Sequence, residues 1–193
     1  MFEVLQAYFE RSFPLSEADI AIIHSVFQPK NMQKGECLVR EGEPARYGAF
    51  VCKGILRSYI IDDKGKEHIL QFAPENWWIS PGIMRTSNDK SPVFIDAIED
   101  ADVLLINKEG HQHMIEKIPA YGISFREGIQ KRNDAKDKRI AHALSSTAEE
   151  RYNDFMESYS AIAQRLPLHM VASYLGITPE TLSRIRRRAL NKK

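Results

Sequence analysis

A chain of 193 residues, 43% of them hydrophobic, can bury one large core or a moderate core with a small appendage, and no stretch approaches the roughly 18 apolar residues of a membrane span. Two cysteines, Cys37 and Cys52, are too few for a disulfide framework or a four-cysteine zinc or iron-sulfur site and read as buried reduced thiols. The net charge of +1 hides an asymmetry, because residues 162 to 193 hold seven Lys and Arg against one acid, Glu180, leaving 20 basic and 25 acidic residues in 1 to 161; a polyanion-binding end on a body with another task is the reading that follows.

In chain order, MFEVLQAYFERSF carries acids where a secretory leader has a basic stretch and a long apolar run, so a cytoplasmic protein is expected. Residues 3 to 12 and 16 to 27 read as short helices, the second opening at Ser16 with Glu17 and Asp19 in the first turn, where acids complement the helix dipole. From Gly35 to about Asn107 come short β-rich runs, ECLVRE, YGAFVCKG, ILRSYIID, EHILQFA, VFIDAI and DVLLIN, punctuated by Gly42, Gly54 and the turn DDKG at 62 to 65. That spacing predicts a β-sandwich or small barrel. Trp77 and Trp78 are expected to fill core or interface.

His111 and His113 form an HQH that, with Glu116, suggests a metal site on a β-barrel. The segment reads as helix, however, and residues two apart on a helix do not share a face, so these are taken as exposed histidines and no metal is expected. A helix from about Pro119 to Leu144 follows. Its middle, KRNDAKDKR, is too charged for a uniform coiled-coil seam, although Phe125, Ile129, Ile140 and Leu144 could pair weakly across a two-fold axis. Ser145, Ser146 and Thr147 offer a hinge and a cap before TAEERYNDFMESY, an amphipathic helix with Tyr152, Phe155 and Tyr159 three and four apart. The boundary between body and appendage is placed near residue 146.

The last segment, LPLHMVASYLGITPETLSRIRRRAL at 166 to 190, has the spacing of a helix-turn-helix. Val171, Ala172, Leu175, Ile177, Leu182 and Ile185 would bury one side of two short helices, with Gly176 in the turn and the small Ala172 where the helices approach. Thr178, Pro179 and Glu180 restart a helix with a capping hydroxyl, a first-turn proline and an acid at the positive end. Glu180, Ser183, Arg184, Arg187 and Arg188 share the opposite face. There Arg184 could contact guanine and Glu180 a cytosine amino group, while Arg186, Arg187, Arg188, Lys192 and Lys193 neutralise phosphates.

The whole order resembles the Crp/Fnr family of transcription regulators, through KGECLVREGE (34 to 43), FVCKGILRSYIID (50 to 62), DDKGKEHILQF (62 to 72), AEERY (148 to 152) and LHMVASYLGITPETLSRIR (168 to 186). It looks most like short members from Bacteroidetes-type bacteria. The resemblance implies an α+β fold: a cyclic-nucleotide-binding-like double-stranded β-helix, or jelly roll, over 1–118, a dimerisation helix and hinge over 119–146, and an all-α helix-turn-helix domain over 147–193. It further implies that Glu180, Ser183 and Arg184, matching the family's E-x-x-S-R motif, read base edges, that Thr178 joins the basic residues on the DNA backbone, and that the partners are a palindromic duplex, a second copy of the chain and, where regulation needs them, RNA polymerase and a small-molecule effector.

Two departures from the family pattern qualify this. Members that bind cyclic AMP carry an Arg-Ser or Arg-Thr pair before the penultimate strand, where this chain has Ser91 and Pro92; a buried phosphate would lack its charge-assisted partner, so cyclic AMP is doubtful and no cofactor is evident. Arg85 and Thr86 are the candidate effector-binding residues, and only through a loop shift. Many members also continue into a β-hairpin wing, for which the residues to Lys193 leave no evident counterpart. No nucleophile or phosphate-loop motif points to an enzyme. The alternative reading keeps the fold as a ligand-sensing or protein-interaction module without specific DNA binding.

Overall fold

The computed structural model describes residues 1–81 and 90–190. Two helices open the chain, α1 (Phe2–Glu10) and α2 (Glu17–Val26). Ser16 starts α2 with a reciprocal cap: its hydroxyl accepts from the Asp19 N–H at 3.2 Å, and the Asp19 carboxylate accepts from the Ser16 N–H at 2.9 Å.

Eight strands follow: β1 (Gln28–Met32), β2 (Cys37–Val39), β3 (Tyr47–Lys53), β4 (Leu56–Ile61), β5 (Glu67–Ala73), β6 (Trp78–Ile79), β7 (Phe94–Ala97) and β8 (Ala101–Asn107). They form two four-stranded sheets, ordered β1-β8-β3-β6 and β2-β7-β4-β5. Alternation along each strand decides what faces where. Ala49, Val51, Val103 and Leu105 of the first sheet meet Leu56, Ile95 and Ala97 of the second in one core. The intervening residues Phe50, Leu104 and Ile106 face away from it and pack against Leu5 and Phe9 of α1, Ile23 of α2 and the residues that follow β8.

Two of these strands lie outside the β-rich runs expected from the sequence. In β1, QPKNM, only Met32 is buried, and Pro29 is tolerated because β1 is an edge strand paired on one side with β8. The two-residue β6 exists because Trp78 and Ile79 pair with Phe50 and Ala49 of β3. A sharp requirement sits between β3 and β4, where Gly54 has φ +86° and a Cβ added there would stand 2.5 Å from the Asp100 carbonyl oxygen.

Helices α3 (Lys108–Lys117), α4 (Pro119–Ser145), α5 (Ala148–Tyr159), α6 (Leu168–Leu175) and α7 (Pro179–Leu190) complete the chain. The described residues divide into two compact units: 1–60 with 71–81 and 90–129, and 61–70 with 130–190. The first holds both core layers described above. The second holds the tip of the β4–β5 hairpin, the later part of α4 and the three terminal helices.

Two expectations about individual side chains, the histidines and the cysteines, are corrected. His111 is buried, not exposed, at 2% accessibility, and His113 is half-buried. The His111 ring packs 4.2 Å from that of Phe125 with Nδ1 2.7 Å from the Tyr121 hydroxyl, and burial pushes its pKa down to about 4. Cys37 and Cys52 are free but only half-buried, and burial pushes the Cys52 thiol up to about 11. Trp78 lies among Phe9, Phe27 and Phe50, whereas Trp77 remains 38% exposed.

Candidate nucleic-acid interface

The second unit builds a helix-turn-helix from local chemistry. Helix α6 ends where Gly176 turns left-handed at φ +66°; the Gly176 and Ile177 N–H groups donate back to Ser173 and Ala172 carbonyls at 3.1 and 3.0 Å. Two residues later the Thr178 hydroxyl caps α7, accepting from the Thr181 N–H at 3.2 Å. Pro179 then occupies a first-turn position where no N–H is needed. The Glu180 backbone N–H, and after it the Thr178 hydroxyl, hold the Glu180 carboxyl below its ordinary pKa, so it stands as an ionised acceptor.

Leu182 and Ile185 are buried, as are Val171, Ala172 and Leu175 of α6, and this fixes which side of α7 remains open. On that side Glu180, Ser183, Arg184, Arg187 and Arg188 are all exposed and three or four residues apart. Arg186 is half-buried, one turn beyond Leu182 and beside the packed face. Lys192 and Lys193 lie outside the described residues. The open face thus presents an acceptor, a hydroxyl and three guanidinium groups, the donor and acceptor types that read base edges and phosphates in a major groove.

Helix α5 and the residues flanking it hold this module together, some of them expected from the sequence and others, such as Arg151, not. Thr147 caps α5 in a reciprocal box with Glu150. Arg151 donates from Nε to the Leu175 carbonyl at 3.1 Å and from a terminal nitrogen to the Ser146 carbonyl at 2.7 Å, so one side chain satisfies the end of α6 and the segment after α4. Phe155 and Tyr159 meet the Tyr174 ring at 5.7 and 5.6 Å. At the end of α4, His142 and Lys138 both engage Asp154 of α5.

Helix α4 buries only Tyr121 and Gly122 along its 27 residues. Ile123, Ile140 and Leu144 are 53%, 60% and 85% exposed. Ile140 and Leu144, one turn apart in the second unit, thus form an exposed apolar pair.

In the first unit, Ser91, read from the sequence as standing at the family's phosphate-binding pair, is buried. Its hydroxyl is turned inward, donating to the Val93 carbonyl at 2.6 Å and accepting from the Val93 N–H at 3.2 Å. Nearby in the second sheet, Arg57 and Asp96 form a buried two-pronged ion pair at 2.7 and 3.0 Å. Its carboxylate already engages this guanidinium. Arg85 and Thr86 lie outside the described residues. Among the described residues no group of three His, Cys, Asp or Glu side chains could hold a metal ion, and no helix is long and apolar enough to cross a membrane.

Residues 29–117 match the cyclic nucleotide-binding domain family. The chain is 29% identical over 166 residues to the transcriptional activator protein Anr of Pseudomonas aeruginosa, covering 80% of this chain and 67% of that one. It is 29% identical over 189 residues to the fumarate and nitrate reduction regulatory protein of Vibrio cholerae, covering 90% and 73%. The solved structure of FixK2 from Bradyrhizobium japonicum shares the fold, with a TM-score of 0.68 at 22% identity over 86% of both chains. By these matches the chain is similar to regulators of the Crp/Fnr family. Like them it combines a cyclic-nucleotide-binding-type jelly roll with a helical C-terminal region.

Proposed function

We propose that the chain is a cytoplasmic, homodimeric transcription regulator that reads a palindromic duplex with α7. The observation that carries this reading is the division of α7 into a buried side, Leu182 and Ile185, and an open side that gathers Glu180, Ser183, Arg184, Arg187 and Arg188. Arg184 and Glu180 read a G·C pair in each half-site, with Ser183 beside them. Thr178 and the arginines that follow, including Arg186, meet the backbone on either side, and Lys192 and Lys193 extend that contact. The names of the relatives, transcriptional activator and regulatory protein, support the same reading.

In this proposal residues 1–118 form the sensor, 119–146 the dimerisation helix and hinge, and 147–193 the DNA-binding domain. The exposed Ile140 and Leu144 of α4 support pairing of two copies along that helix. Cyclic AMP is not proposed as the effector; the Ser91 hydroxyl bonded to Val93 and the Arg57 guanidinium paired with Asp96 support that reading. RNA polymerase and an effector of another class complete the expected partners.

The test is selection from a randomised duplex pool by the purified protein with no nucleotide added. Enrichment of a two-fold palindrome is expected. Failure to retain any duplex at low salt would overturn the reading in favour of a sensing module without specific DNA binding.

A further inference from the structure

Strand β5 lies at the end of its sheet, so among the described residues one edge of its backbone has no strand to pair with. Within the second unit that edge is occupied by side chains from elsewhere. The Ser173 hydroxyl of α6 donates to the Glu67 carbonyl at 2.8 Å and accepts from the Ile69 N–H at 3.1 Å, standing in for two ladder bonds. Arg139 of α4 donates to the Ile69 carbonyl at 3.0 Å, to the Tyr174 carbonyl at 3.1 Å and to the Leu70 carbonyl, with its guanidinium 3.9 Å from the centre of the Tyr174 ring. Two side chains therefore join three elements: the hairpin tip, the later part of α4 and the first helix of the helix-turn-helix. The tip is itself stiff. Asp62 accepts from the Lys64 and Lys66 N–H groups and pairs with His68 at 2.8 Å.

None of these bonds uses the open side of α7. Arg139 immediately precedes the exposed Ile140 and lies little more than a turn before Leu144. A clasp at this place fixes the helix-turn-helix to the helix on which the copies pair, and in a two-fold dimer that attachment determines how far apart the two reading helices stand. We infer that Ser173 and Arg139 are positioning residues that clasp the helix-turn-helix to the free edge of β5 and to α4, and so set the half-site spacing the dimer accepts. This rests on the DNA-reading dimer proposed above.

The experiment uses the full chain and its selected palindrome, with the two half-sites at the preferred separation and at one and two base pairs more or less, beside a duplex carrying a single half-site. Ser173→Ala and Arg139→Gln are expected to keep single half-site affinity within about twofold while spreading binding over neighbouring separations. Ser173→Thr, which keeps the hydroxyl, retains the parent's narrow profile. Hydrogen exchange at the Ile69 amide rises about 2- to 10-fold in Ser173→Ala, the range set by one net hydrogen bond, and not in Ser173→Thr. A helix-turn-helix that was merely destabilised would lose half-site affinity as well. An unchanged separation profile in both Ser173→Ala and Arg139→Gln overturns the positioning role, and unchanged Ile69 exchange in Ser173→Ala overturns the clasp. A parent protein that retains no duplex overturns the DNA reading itself, which separates that failure from this one.

Discussion

Replacing Arg184 by alanine separates reading from folding. The side chain is exposed on α7 while Leu182 and Ile185 carry the packing, so truncation should change stability by no more than about 0.5 kcal/mol, as for surface positions without special contacts. A guanidinium making two hydrogen bonds to guanine is worth about 1 to 3 kcal/mol of discrimination. The two half-sites of a dimer lie far enough apart for these losses to add, giving about 2 to 6 kcal/mol, or roughly 30-fold to 20,000-fold in dissociation constant. Fluorescence anisotropy with the selected palindrome, beside a thermal melt of each protein, measures both quantities. Repeating the pool selection with Arg184→Ala should show relaxed preference at one base pair per half-site. Unchanged preference with unchanged affinity would refute base reading by Arg184, and a large fall in melting temperature would show that packing had been misjudged.

Arg187→Ala should weaken binding to all sequences alike and lower the slope of log affinity against log salt by about 1 for each phosphate it no longer neutralises; equal slopes in variant and parent would count against a backbone role. Gly54→Ala should cost more than about 2 kcal/mol in chemical denaturation, because the new methyl would stand 2.5 Å from a backbone oxygen at a φ of +86°; a near-neutral result would show that the β3–β4 connection can shift. His111 adds a pH dependence whose sign follows from burial. Its folded pKa of about 4 lies below its ordinary 6.5, so the unfolded chain takes up the proton first and the contribution to stability, complete above about pH 6.5, is lost as pH falls towards 4. Denaturation curves of His111→Phe should show a shallower decline across that interval, and an identical decline would place the titration elsewhere.

What was legible in the sequence depended on the range of the interaction. Ser16 and Thr147 were readable as caps because their partners, Asp19 and Glu150, lie three residues away. The long strands β3, β4, β5 and β8 were readable because each is a short run rich in apolar and β-branched residues bounded by glycine or turn signals. In contrast, β1 and β6 are short, and β1 is mostly polar; they are strands only because β8 and β3 lie beside them. His111 read as exposed because its neighbours in sequence are polar, but Tyr121 and Phe125 of the following helix enclose it. The sign of its pKa shift follows from that enclosure and from nothing in the HQH motif.

By itself the sequence determined the helix-turn-helix and the open face proposed to read DNA. Gly176, Thr178, Pro179 and the three- and four-residue spacing of Glu180, Ser183, Arg184, Arg187 and Arg188 act within one or two helical turns, where backbone geometry converts spacing directly into a face. Only the tertiary structure decided what holds that module. Ser173 reaches Glu67 across 106 residues and Arg139 reaches Ile69 across 70, and neither carries a local signal distinguishing it from any other serine or arginine on a helix. The need they answer, an unpaired strand edge, comes into being only when β5 takes its place at the end of the sheet.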